Sequence, residues 1–291
     1  MTQMELPLLA KDHFSESDYA WLENLSRFWE KGEEGVDYTP FTDDETLADA
    51  CAQLASDLLN NDPCSFISSL ASDYAFVYAS YDDETFAKLV VMGCEYGVAC
   101  HDGACANMLG AMYYSGEVVD QDYEKAKELY ELAESQGAVQ AMINLGYIYE
   151  YGRTGERDYL KAFMQYAKAS AAYDAPEALY KLGDMYSRGG AVKKDMRAAY
   201  LLYEKCLEQS ETIEMQAQAA IRIARLVSSS EYEDVGIEFN PTLAFELYQL
   251  AERGLRADIA QGQTYYRKRL QEAIDGQERM RELLDHPRHL P

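Results

Sequence analysis

Histidine is scarce, at four in 291 residues, and two of the four, His286 and His289, stand near the C-terminus. That thins the supply of general bases titrating near neutral pH. The chain holds no glycine-rich phosphate loop, no G-x-S-x-G elbow and no His-Glu-x-x-His helix. Phosphate-cradling, acyl-transfer and zinc-hydrolase chemistry therefore each lack their usual framework. Carboxylates are abundant, but on so acidic a chain they read as solvated helix faces rather than as an acid/base pair. The expectation is no enzyme, no catalytic residue and no cofactor.

Long apolar stretches are missing too. No uninterrupted run approaches the ~18 residues a membrane helix needs, and the mean hydropathy is -0.39. The N-terminus, "MTQMELPLLAKDHFSE", has no basic leader followed by an apolar core and a small-residue cleavage site. These absences lead to the expectation of a soluble, cytoplasmic protein with no membrane partner. Basic residues are few, 26 Lys and Arg against 51 Asp and Glu, giving a net charge of -25 and a pI near 4.4. Such a balance repels nucleic acid, so no nucleic-acid partner is expected, and no small-molecule ligand either. The charge is unevenly spread: the first 63 residues carry 15 acidic and 3 basic side chains, whereas from Arg253 onward there are 8 basic and 6 acidic ones.

Six cysteines (Cys51, Cys64, Cys94, Cys100, Cys105 and Cys206) are too few for a disulfide framework in a chain this long. The stretch "CEYGVACHDGAC" gathers Cys94, Cys100, His101 and Cys105, yet it lacks the C-x-x-C knuckle of a zinc site. Burial at small packing positions is the better reading, and no metal is expected.

What the chain has in plenty is repetition. Leu-Gly-x-x-Tyr occurs at Leu109, Gly110 and Tyr113, at Leu145, Gly146 and Tyr149, and at Leu182, Gly183 and Tyr186, with glycines 36 and 37 residues apart. A second phrase follows each in step: "DYEKAKELYELA" from Asp122, "DYLKAFMQYAKA" from Asp158 and "DMRAAYLLYEKC" from Asp195. A fourth, divergent copy reads "AAIRIARLV" and then "NPTLAFELYQLA", with Ile223 and Ala224 where Leu-Gly stood and a longer connection. "DETFAKLVVMGC" from Asp83 keeps the spacing of the second phrase and suggests a fifth. Apolar residues three, four and seven apart make each phrase one helix. Asp or Asn before each second helix predicts an N-cap, and Gly116, Gly152 and Gly189 predict left-handed stops after the first. The mid-helix glycines cost about 1 kcal/mol each relative to alanine. The compensation expected is close approach of the paired helix carrying Ala126, Ala162 and Ala199.

One such hairpin cannot bury its own apolar stripe, and stacking the next copy on it can. The combination L-G-x-x-Y-x-x-G, a loop, and D-x-x-x-A-x-x-x-Y-x-x-A resembles the Sel1-like repeat, a relative of the tetratricopeptide repeat. The likeness is strong over Ala106–Gly254 and weak over Phe66–Cys105. It implies an all-α fold, a right-handed α-α superhelix or solenoid of about four to five helical hairpins, clearest at 106–209. The expected organisation is an acidic helical N-terminal cap at 1–65, the repeat solenoid at 66–254, and a C-terminal capping helix and tail at 255–291. Helices are expected at Ser15–Gly32, with Tyr19, Trp21, Leu22, Leu25, Phe28 and Trp29 on its apolar face, at Asp43–Asn61, and as one long helix over Asp258–His286 with Ile259, Tyr266, Leu270, Ile274 and Leu283 inward.

The resemblance further implies a concave groove lined by first helices, suited to a peptide or another protein. By that register its residues are Asn107, Ala111 and Tyr114, then Ile143, Tyr147, Glu150 and Tyr151, then Tyr180, Asp184 and Arg188, and finally Ile221 and Arg225. Tyrosine and arginine are frequent interface anchors, so a protein-interaction scaffold or adaptor is the leading expectation. The alternative is an acidic inhibitor or immunity-type protein that neutralises a basic enzyme or toxin.

Overall fold

The computed structural model describes residues 9–31, 45–62 and 83–286. The loop expected over 32–42, a helix starting at Pro63, the opening of a fifth copy near residue 66, the C-terminal "PRHLP" and the side chains of Phe28 and Trp29 lie outside the described residues. Every regular element among the described residues is helical. The chain divides into two compact units, residues 1–141 and 142–291.

In the first unit, α1 (Ala10–His13), α2 (Glu16–Lys31), α3 (Glu45–Leu59) and α4 (Glu84–Ala99) precede the hairpin of α5 (Gly103–Ser115) and α6 (Tyr123–Ser135). Ser15 caps α2 by accepting from the Asp18 amide at 3.1 Å and donating to the Asp18 carboxylate at 2.7 Å. Leu22 and Leu25 of α2 join Cys51, Leu54 and Leu58 of α3 and Phe86, Leu89 and Val90 of α4 in one apolar core that reaches Leu109 and Met112. Cys94 and Cys105 are fully buried there, and burial pushes the Cys51 thiol up to about 12. Among the described residues, no three His, Cys, Asp or Glu side chains are placed to hold a metal ion.

The second unit holds most of α7 (Val139–Tyr151), then α8 (Tyr159–Tyr173), α9 (Pro176–Arg188), α10 (Met196–Gln209), α11 (Ile213–Val227), α12 (Pro241–Ala260) and α13 (Arg267–Asp285). A 3-10 turn at Ser230–Val235 fills the long connection from α11 to α12, and Ile237 beyond it is buried.

Each hairpin is tied the same way. The N-cap side chains Asp122, Asp158, Asp195 and Asn240 accept from the amides of Lys125, Lys161, Ala198 and Leu243 at 2.9–3.0 Å. Their own amides donate back to the carbonyls of Tyr113, Tyr149, Tyr186 and Val227 at 2.8–3.0 Å. Val227 stands three residues after Ala224, as the tyrosines stand three after their glycines, so the divergent hairpin closes in the same register. Gly116 ends α5 at φ 75° and donates to Met112, as the sequence predicts.

The paired helix approaches the mid-helix glycines closely, as expected, and the atoms nearest them belong to a ring one turn beyond each alanine. A Cβ at Gly110 would lie 2.8 Å from Tyr130, and Gly146 and Gly183 are pressed closer still by Tyr166 and Tyr203. These second-helix tyrosines are among the most buried side chains. In the fourth hairpin Ala224 stands at the glycine position, and Tyr248 presses instead on Gly276 of α13, where a Cβ would meet the ring at 2.6 Å.

That contact corrects the expectation for the C-terminus. The segment Asp258–His286 is not one helix: α12 stops at Ala260, Gly262 turns the chain at φ 97°, and a 3-10 turn at Thr264–Tyr266 leads into α13. The Gln263 amide closes that turn on the Asp258 carbonyl at 3.0 Å. The inner face of α13 is Ala273, Gly276, Gln277 and Met280. Small residues let this helix approach Tyr248, leaving Leu270 and Leu283 at the margin of the core.

Gly146→Ala gains about 1 kcal/mol of helix propensity but must displace the Tyr166 ring, at a cost of about 1–3 kcal/mol. The expected result is a lower urea midpoint with unchanged denaturant sensitivity, and a higher midpoint would show that the ring has slack.

Candidate partner-binding face

The first helices of the second unit carry charged side chains on positions that the fold buries. Glu150 of α7 is only 5% exposed. Its Oε2 accepts from Tyr166 at 2.9 Å and from Lys181 of α9 at 3.1 Å, and its Oε1 accepts from Arg188 at 2.7 Å. One helix further, both oxygens of Asp184 accept from the Arg222 fork of α11 at 2.7 Å, while Tyr203 donates to the same carboxylate at 2.9 Å. The Arg222 guanidinium lies 4.5 Å from the Tyr180 ring centre. The pattern is a staircase in which a base two residues before the glycine position reaches an acid on the preceding first helix.

Burial opposes ionisation of Glu150, but Lys181 and the bonds from Arg188 and Tyr166 outweigh it and hold its pKa below the usual range. Asp184 follows the same balance, with Arg222 first among the groups overcoming burial. Arg222 is held fully charged, since burial is outweighed by Asp184.

Aromatic rings stand on this framework. Tyr147 and Tyr151 are stacked, with centres 5.8 Å apart and planes within 10°. Lys181 sits 4.3 Å from the Tyr147 ring centre and donates to the Tyr151 hydroxyl at 3.1 Å. The Tyr147 hydroxyl donates to Glu177 and lies 3.3 Å from that of Tyr180.

The structure thus brings together Tyr147, Glu150, Tyr151, Tyr180, Asp184 and Arg188 from the sequence-derived set. Tyr180, at 6% exposure, and Ile143, at 2%, are core residues whose sides are already covered. Ile221 is buried likewise. Arg225 faces outward and is forked to Glu272 of α13. Asn107 and Tyr114 belong to α5 in the first unit, where Ala111 is exposed and Tyr114 packs edge-on against Tyr123 at 5.3 Å. Sequence reading missed Lys181, Arg222, Glu177 and Gln218. The available signal was a base embedded among apolar residues at one repeat position, in "LYKLG" and "AIRIA".

Stacked helical hairpins with these tyrosine–glycine contacts define a helical-repeat protein. The Sel1 repeat matches at residues 103–137, 139–174, 176–210 and 217–254, and the chain belongs to the Sel1 repeat family, typically a protein-interaction fold. A Sel1 repeat protein from Oxalobacter formigenes is similar in structure, with a TM-score of 0.54 and 20% identity over 91% of this chain and 98% of that one. Two Arabidopsis thaliana proteins, the ERAD-associated E3 ubiquitin-protein ligase components HRD3B and HRD3A, are 45% and 44% identical over 47 and 48 residues. Those matches cover 16% of this chain and only 8% and 7% of the two relatives. No described helix is long and apolar enough to cross a membrane.

Removing one member of a buried pair leaves the other uncompensated. Arg222→Met is expected to cost about 3–5 kcal/mol, and adding Asp184→Leu should restore most of it in urea melts. A double-variant loss equal to the sum of the two single-variant losses would show the pair to be uncoupled.

The pH response follows from the same groups. Glu150 and Asp184 have folded pKa values below their unfolded ones, so their contribution is complete above the ordinary carboxylate range and is lost as pH falls through the folded values. Asp258 has the opposite sign: burial, then Glu214, push it up to about 6 from 3.8, so its ionisation lowers stability as pH rises between those values. Asp258→Asn should therefore remove a falling slope between pH 4 and 6 from the stability profile, and an unchanged profile would show that Asp258 ionises freely.

Proposed function

We propose that this protein is a non-enzymatic, cytoplasmic scaffold or adaptor that binds a peptide or another protein on the first helices of the Sel1 repeats in its second unit. The observation that carries the reading is the Tyr147–Tyr151 stack. Tyr151 is 43% exposed, and its orientation is fixed by Lys181, which is itself held by Glu150. A ring already immobilised loses little entropy on binding, and such rings are frequent hot spots. Arg188, anchored by Glu150 and by the Asp184 carbonyl at 3.1 Å, presents a half-exposed guanidinium beside it. The two HRD3 relatives are named as components of an E3 ubiquitin-protein ligase, in line with an adaptor role.

The second reading, an acidic inhibitor of a basic enzyme, is favoured by the net charge of -25. The two differ in salt dependence. Affinity capture from native lysate at low and high salt, followed by titration of the recovered partner, separates them. Tyr151→Ala is expected to weaken the partner by about 2 kcal/mol, roughly thirtyfold, with helicity unchanged. A basic partner that salt releases and Tyr151→Ala leaves untouched would replace the scaffold reading with the inhibitor one.

A further inference from the structure

The staircase of ion pairs ends on a base without an acid. Lys181 and Arg188 have Glu150, Arg222 has Asp184, and Arg225 has Glu272. Arg269 of α13 comes next. Its guanidinium donates at 2.6 Å to Oε1 of Gln218, a neutral amide, and lies 5.3 Å from the Tyr266 ring centre. No carboxylate stands within ion-pair distance of it among the described residues, in a chain with 51 acidic side chains.

Asp258 senses the charge but is bonded elsewhere, accepting from the Gln218 amide nitrogen at 3.4 Å. Burial, and then the neighbouring Arg222, make the charge on Arg269 unfavourable. The place is costly for another reason. Arg267, Lys268 and Arg269 open α13 with no acidic residue in its first turn, where the helix dipole disfavours cations. Arg269 is half-buried rather than sealed, and Tyr265 beside it is largely exposed.

We infer that Arg269 receives an acidic side chain, Asp or Glu, of the bound peptide, with Gln218 fixing the guanidinium and Tyr266 flanking it. The charges decide the class of ligand. Arg222 and Asp184 cancel, and Asp258, bonded to the far end of Gln218, offsets Arg269 only through space, so the site offers at most one positive charge, which a carboxylate monoanion neutralises. A phosphate dianion would carry surplus charge into a strongly acidic protein. A guanidinium fork also binds a planar carboxylate through two parallel hydrogen bonds.

This inference rests on the scaffold reading above, and the test separates the two. A random linear peptide library displayed on phage is panned against the full-length protein, and the selected sequences are made as synthetic peptides. Wild-type protein should select an Asp or Glu at one fixed position. Changing that acid to its amide, or Arg269→Gln in the protein, should each weaken binding about tenfold or more, with no further loss when the two are combined. Arg269→Glu should recover affinity for a peptide carrying Lys at that position, which a merely structural arginine would not produce. If the arginine variants fail to fold, the peptide substitution on wild-type protein still gives the answer. Selected peptides that depend on Tyr151 but show no acid preference would overturn the inference and leave the scaffold reading standing. Tighter binding of a phosphoserine at the acid position would overturn the carboxylate assignment. A library that yields no binder would remove both.

Discussion

The contact on which the repeats depend is a tyrosine ring laid across the backbone of the opposite helix. Gly110, Gly146 and Gly183 have no side chain because Tyr130, Tyr166 and Tyr203 occupy that space. Each ring then fixes the distance between the two helices of its hairpin, and its hydroxyl is delivered to a defined point. For Tyr166 and Tyr203 that point is the carboxylate of Glu150 or Asp184. Helix packing and the polar staircase thus share the same atoms. The glycine's intrinsic helix penalty is the cost of that arrangement.

The staircase couples one hairpin to the next through directional bonds rather than apolar area. Buried ion pairs add little net stability, but they penalise any register in which an acid and a base fail to meet. In a stack of similar units that could slip against each other, this selects one alignment of α7, α9 and α11. Lys181 shows the economy of the device, since its single ammonium satisfies Glu150, orients Tyr151 and lies over the Tyr147 ring.

Much of this was legible in the residues. The spacing of Leu-Gly-x-x-Tyr gave the hairpins, and Asp122, Asp158, Asp195 and Asn240 gave their caps, because capping and helical period are local properties. The close approach of the paired helix to the mid-helix glycine was readable from the alanine at fixed spacing, but only the packed structure shows that a ring four residues further on fills the gap. The C-terminal break was missed because a charged, periodic stretch hides a left-handed glycine such as Gly262. Tyr180 and Ile143 show the limit of borrowed geometry, since the register names a face without saying whether a neighbouring helix covers it. The roles of Lys181 and Arg222 were invisible for the same reason, as their partners lie more than thirty residues away in sequence.

The bond from each N-cap amide to the carbonyl three residues after the glycine position closes the inter-helix loop at its base. Whatever lies between those two residues is a closed excursion whose length does not alter the hairpin's base. The connection from α11 to α12 shows this, because it carries a whole 3-10 turn without disturbing the Asn240 cap. Loop length is thereby released from the geometry of the stack. Hairpin junctions become the natural sites for insertions, epitopes or fused domains, since a closed loop grows at a cost that rises only logarithmically with its length.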